Sequence, residues 1–190
     1  MTLIRLFVLT LLSIAMNANA QELPFREVSD YPKKYTAGTT AARTIEGLGF
    51  RYYWATDSLR DEDLSYKPSE DGRTILETLH HIYEMSFMIK NATLKEVNVL
   101  PDTVDFDMMR KITLANLEVA HAKLMSVDDM SDMNVIFEGK NRRVEYPFWH
   151  LLNGPIADCT WHVGQIVAFR RANGNPIATG ISFFNGTAKP

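Results

Sequence analysis

The stretch Asp158–Arg171 places ionisable side chains where a helix would bury apolar ones. At about 100° per residue, Asp158, His162, Gln165, Ile166 and Phe169 fall on one helical face. Ile166 and Phe169 mark that face as core-directed. A charge buried there without a partner is costly. The fold must therefore bring something to Asp158 and His162: a metal ion, another cation, or each other. Their i, i+4 spacing sets the two Cβ atoms roughly 5–6 Å apart, close enough to share one ion. Two ligands do not make a site, so a third has to come from another part of the chain.

The remaining periodicity predicts mostly helix. A first helix spans about 39–59, with Ile45, Leu48, Tyr52 and Leu59 at helical spacing and Gly47 and Gly49 weakening it. A polar loop, 61–72, contains Pro68. A second helix covers about 73–92 with Ile75, Leu79, Ile82, Ser86 and Ile89 inward. A third, about 106–126, is capped by Asp105 and carries Met108, Ile112, Ala115, Val119 and Ala122 on its expected inner face. Val135, Phe137, Val144 and Tyr146 alternate around Glu138-Gly139-Lys140-Asn141, as a short hairpin would. The fourth helix begins near Phe148. Pro155 either kinks it or starts a new helix, because proline lacks the N–H that would bond Leu151. Gly174 and Pro176 end it. Phe183 and Phe184 in the tail are expected to pack on the body. The expected fold class is all-α: a four-helix bundle with a short β-hairpin between helices three and four.

Residues 1–20 read as a secretory signal peptide. Arg5 supplies the positive end, Leu6–Ala15 an apolar run too short to span a bilayer, and Ala18-Asn19-Ala20 a small-x-small cleavage site. Residues 21–190 then form a single domain, long enough for its own core. The expected location is periplasmic or secreted, with no stable membrane anchor. With 20 basic against 23 acidic residues, nothing in the charge suggests a nucleic-acid partner. The lone Cys159 has no internal disulfide partner and reads as a small buried side chain. Asn91-Ala92-Thr93 and Asn185-Gly186-Thr187 fit the glycosylation pattern. Trp54, Trp149 and Trp161 are expected in core or cleft walls, and His121 and His150 in structural roles.

For the third ligand, the second helix offers His80 and His81, and periodicity does not choose between them. A resemblance does. Thr74-Ile75-Leu76-Glu77-Thr78-Leu79-His80-His81-Ile82, followed by Trp161-His162-Val163-Gly164-Gln165-Ile166 and Arg170, resembles the DinB/YfiT-like superfamily over about residues 38–173. The resemblance implies a DinB-like four-helix bundle. Its metal triad is one His on helix two and a His-x-x-x-His pair on the last helix, just before a Gly-Gln-Ile-like segment. Carried over, the metal ligands are His81, Asp158 and His162, with Asp158 standing where His is commoner.

Two His and one carboxylate suit a divalent metal, zinc first, with nickel, iron or manganese also accommodated. The resemblance implies a metal-dependent hydrolase acting on an unknown small molecule, with a metal-bound water as nucleophile, its pKa lowered to about 7. Thiol transfer is the less favoured activity, because an exported compartment holds little reduced thiol. Glu77 and Glu84, one turn either side of His81, are the nearest acid–base groups, and Gln165 could hold a ligand in place. The alternative is a non-catalytic binding or structural module whose metal is structural or lost. There Asp158 simply hydrogen-bonds His162 and His81 is exposed. A homodimer is left open.

Overall fold

The structure, a computed structural model, describes residues 22–189. The expected signal peptide, 1–20, lies outside them. The described chain is mostly helical, with small antiparallel hairpins. Its elements are α1 (Ala37–Thr56), α2 (Asp61–Leu64), α3 (Ile75–Leu94), α4 (Phe106–Met125), β1 (Asn134–Gly139), β2 (Arg142–Pro147), α5 (Trp149–Asn153), α6 (Pro155–Ala172), β3 (Ile181–Ser182) and β4 (Thr187–Ala188). The four long helices close a ring: α1 packs on α4 and α6, and α3 packs on the same two. No described helix is long and apolar enough to cross a membrane.

Local chemistry sets the helix starts. Thr36 and Thr39 form a reciprocal cap on α1, Thr74 and Glu77 do so on α3, and the Asp105 carboxylate accepts the Met108 N–H on α4. Pro155 resolves the ambiguity at the fourth helix. It occupies the first position of a new helix, α6, after Gly154 breaks α5. The two glycines of α1 that lower its propensity include one the packing demands. A Cβ on Gly49 would meet the Phe25 ring at 2.5 Å, so the N-terminal arm docks only against a bare backbone. Gly38 is tighter still, with the Val127 carbonyl 2.1 Å from where a Cβ would sit.

Ile75, Leu79, Ile82, Ser86 and Ile89 are buried on α3, as the spacing predicts. The α4 face differs from expectation. Met109, Thr113, Leu114, Asn116, Leu117, Ala120 and Leu124 are buried, whereas Met108 and Val119 lie on the exposed side. Helix α4 packs against both α1 and α3, so its buried arc is wide and takes in polar side chains. Asn116 pairs there with Ser86, Nδ2 donating to Oγ at 3.0 Å.

The polar loop after α1 holds one helical turn, α2. Its Asp63 is fully buried and accepts from the Arg60 guanidinium and backbone and from the Asn173 and Asn175 amides at 2.6–3.0 Å. This network ties α2 to the end of α6. Arg170, also buried, reaches from α6 to the last carbonyls of α1. Its Nη1 donates to Ala55 and Asp57 at 2.9 and 2.8 Å and to Trp54 at 3.3 Å, and its Nε donates to Asn175 at 2.7 Å. Helix α1 has no basic residue in its own last turn. The cation that satisfies its C-terminal end therefore comes from another helix.

Other expectations need correction. Trp54 is buried, with Nε1 donating to the Arg26 carbonyl, and Trp149, though more than two-thirds exposed, lines a cavity beside α1 as expected of a cleft wall; Trp161, equally exposed, is not in the core. Phe183 packs edge-on against Phe50, whereas Phe184 is fully in solvent. Asn91 is buried with its amide turned to the Val97 carbonyl, so only the second sequon, at Asn185, is on the surface. The expected hairpin forms, Val135 opposite Tyr146 and Phe137 opposite Val144, but its turn is only Lys140-Asn141, because Glu138 and Gly139 pair with Arg143 and Arg142.

Candidate metal centre

Helix α3 presents His81 about two turns past its N-terminal cap, Thr74. Helix α6 presents Asp158 in its first turn and His162 one turn later. Because Pro155 starts α6, the Asp158 carboxylate sits at the positive end of the helix dipole rather than in mid-helix, which favours its charge. The α3–α6 seam brings the three side chains together. One donor atom from each lies within 4.8 Å of the others. His81 Nε2 is 2.9 Å from Asp158 Oδ2, and His162 Nε2 is 3.5 Å from the same oxygen. The two imidazoles meet edge to face, centroids 5.0 Å apart at 88°. Side-chain exposures of 25%, 15% and 42% for His81, His162 and Asp158 make this a half-buried seam open to water, not a sealed core.

Gln165 does what was expected of it. Its Oε1 accepts from His162 Nδ1 at 2.7 Å, which fixes the tautomer and leaves Nε2 with its lone pair directed at the cluster. Asp158 accepts from His81 across helices, more closely than it approaches His162 on its own helix. The arrangement with Asp158 bonded to His162 and His81 left exposed is therefore not what the fold contains. Two imidazoles and one carboxylate, with atoms converging from two rigid helices, are a donor set that fits a divalent ion; the group could hold one. His80 turns away, its Nδ1 3.6 Å from Glu84 on its own helix.

Two shallow clefts flank the cluster. One, about 260 Å³, is bounded by Glu77, His80, His81 and Glu84. The other, about 310 Å³, is bounded by Pro68, Thr78, His162, Gln165 and Phe169. Arg73 lines both and has no ion-pair partner among the described residues. Sequence reasoning missed Arg73, since it sits outside any periodic stripe. Of the two acids near His81, Glu77 is committed to capping α3. Its Oε2 accepts from the Thr74 N–H and hydroxyl at 2.7 and 3.1 Å, which holds its carboxyl below the usual range. The other acid of that cleft is Glu84, beside His80. Cys159, beside Asp158 in sequence, is buried, and burial pushes its thiol up, so it is no nucleophile. His121 packs edge-on against Phe25, and His150 against Tyr146. Compared with protein-family models and with curated proteins, the chain matches none.

Proposed function

We propose that His81, Asp158 and His162 bind one divalent metal ion, zinc first, and that the protein is an exported DinB-like hydrolase of a small-molecule substrate. One observation carries the reading: a carboxylate and two imidazole nitrogens from two different helices converge on one point, with one imidazole pre-oriented by Gln165. The order of ligands supports the kinship suggested by the sequence, one His on the second long helix and an i, i+4 pair on the last. The segment Met1–Ala20 supports export.

When bound, the ion supplies Lewis acidity, which polarises a scissile carbonyl or acidifies a water to a pKa of about 7. The chain supplies the rest. Asp158 offsets part of the cationic charge. Gln165 orients the His162 ring by accepting its Nδ1–H. Arg73, facing both clefts, offers a dock for an anionic group on the substrate, and Glu84 is placed to exchange a proton with it. The cation would take the place of the proton that His81 now shares with Asp158.

Protein purified without chelator or affinity tag should carry close to one divalent ion per chain by elemental analysis, and His162→Ala should remove it. Metal content unchanged by that substitution would sink the assignment. One observation favours a second reading, a binding module with a structural ion. The clefts beside the cluster sit at or below the small end of the range for ligand sites, about 300–1,000 Å³, and the roomier cavities lie elsewhere. Chelation separates the two: a structural ion leaves the metal-free protein unfolded or melting far lower, whereas a catalytic ion leaves the helices intact.

A further inference from the structure

Helix α6 carries the cluster on one face and leaves another without a partner. A helix on the surface of a bundle ordinarily turns charged side chains outward, and one that is apolar all round belongs in an interior. Helix α4 follows the rule, with Asp107, Lys111, Glu118 and Lys123 on its exposed side. Helix α6 does not. Its exposed positions from Ala157 to Ala168 are Ala157, Thr160, Trp161, Gly164 and Ala168, none of them charged. Charge returns on that face only at Arg171, in the last turn. A Cβ on Gly164 would meet nothing within 4 Å, so the face is open at its centre.

The stripe reads the same in both directions. Ala157, Trp161, Gly164 and Ala168 are spaced four, three and four residues apart, along one helical face about 16 Å long. Two copies laid antiparallel, about a twofold axis midway between Trp161 and Gly164, bring each Trp161 onto the partner's Gly164 and each Ala157 onto the partner's Ala168. The indole is the knob and the glycine the hole, and the alanines at both ends let the helix axes approach to the short end of the usual range, about 8 Å. Contact of residue i with j and of j with i is what a twofold dimer requires.

The surface is also large enough. Ala157 and Thr160 line the cavity beside α1 together with Tyr35 and Trp149, so the uncharged surface continues past the helix. Trp149, Trp161 and Tyr35 are 72%, 71% and 79% exposed. At roughly 200 Å² for an aromatic side chain, they present about 450 Å² between them, over half of the about 800 Å² that each partner of a stable interface buries. The rest of the stripe, with the exposed Ala37, Thr40 and Thr44 of α1, extends it toward that area. Lack of charge suits self-association, because a charge near the axis would meet its own copy. It suits a membrane surface less. Helices that lie in that interface set Lys and Arg around their aromatic side chains, and the exposed α6 positions up to Ala168 include neither.

We infer that this face binds a second copy of the chain, α6 against α6, and makes the protein a twofold dimer. The inference does not rest on the metal reading. Asp158 and His162 lie about 100° round the helix from Ala157 and Trp161, and no residue of the stripe belongs to the cluster.

Sedimentation of the purified protein at about 50 µM is expected to give twice the chain mass, with a dissociation constant at or below about micromolar. Tryptophan emission should shift to the blue as the dimer forms. Gly164→Glu has room in the single chain and removes a helical glycine, so it should keep or raise the melting temperature of the monomer while weakening the dimer roughly a hundredfold or more. Ala157→Cys and Ala168→Cys should cross-link under mild oxidation when mixed, and neither should do so alone; the native Cys159 is buried and does not compete. The proposal is overturned by a monomer at about 100 µM, by a dimer that Gly164→Glu leaves intact, by a mixture that fails to cross-link, or by either cysteine variant cross-linking as readily alone. A monomer that binds phosphatidylcholine vesicles, and loses them in Trp161→Glu, would assign the face to a membrane and likewise overturn it.

Discussion

Asp63→Asn should cost this protein about 3 kcal/mol at neutral pH. The carboxylate is wholly buried and accepts five hydrogen bonds, from Arg60 N, Nε and Nη2 and from the Asn173 and Asn175 amides. An amide of the same shape keeps one acceptor oxygen and turns two N–H groups toward a surface made of donors. Breaking a buried charged network by removing one partner costs roughly 3–5 kcal/mol. Arg60 is half exposed and can return to water, so the low end applies. The same contacts hold the Asp63 carboxyl well below the usual carboxylate range, the Arg60 hydrogen bonds most and the Asn175 amide next, against the opposing effect of burial. A carboxyl whose folded pKa is depressed contributes stability that is full above its unfolded pKa of about 3.9 and is lost as pH falls toward the folded value. The gap between wild type and variant should therefore be flat from pH 7 to about 5 and close steadily below about pH 4. Urea melts monitored by far-UV circular dichroism at several pH values read this directly. With about 2 kcal/mol/M for a chain this size, the midpoint should shift by about 1.5 M at pH 7. A gap under about 1 kcal/mol at pH 7, or one unchanged between pH 7 and pH 3, would refute the reasoning.

Arg170→Met should lower thermal stability by about 3 kcal/mol, or roughly 6–12 °C, because three α1 carbonyls and that of Asn175 lose their donor; Arg170→Lys should not restore it, since one ammonium cannot fork to both sites. A loss under about 1 kcal/mol in Arg170→Met by calorimetry would mean that water replaces the guanidinium. His81→Ala should abolish metal binding in an equilibrium dialysis assay, whereas His80→Ala should leave it within a few-fold, because His80 points to Glu84; equal losses would show the wrong histidine was chosen. Asp158→His should retain one ion per chain and Asp158→Ala should lose it, with Asp158→Asn weakened strongly for want of charge; metal content indifferent to all three would leave Asp158 as nothing more than the partner of His81.

Helical spacing carried much of the architecture. The stripe on α3 and the start of α4 were readable because an apolar periodicity marks the one and the Asp105 cap the other; α1 and α3 begin and end two or three residues from the expected bounds, their Thr36 and Thr74 caps having gone unread. The face of α4 was not readable. Its buried arc includes Thr113 and Asn116, and its exposed side carries Met108 and Val119, so hydrophobicity alone points about one residue off. At the site, the i, i+4 pair on α6 was visible in sequence, and the choice of His81 rested on resemblance. What the spacing could not reveal is which partner Asp158 takes without a metal. The answer, His81, depends on how closely α3 and α6 approach. Arg170 sits in the last turn of α6, yet its side chain closes another helix, a contact 113–116 residues away in the chain that no local spacing reveals.

The cluster also has a place in time. His81 and Asp158 are separated by 77 positions, and the helix that carries Asp158 is fastened at its far end by Arg170 to α1, the first long helix of the chain. Closing loops of that length costs entropy that only the packed seam repays. A chain whose synthesis has stopped before α6 holds one of the three candidate ligands, His81, and no site. The donor set of the proposed metal site is thus assembled only when α6 has packed on α3.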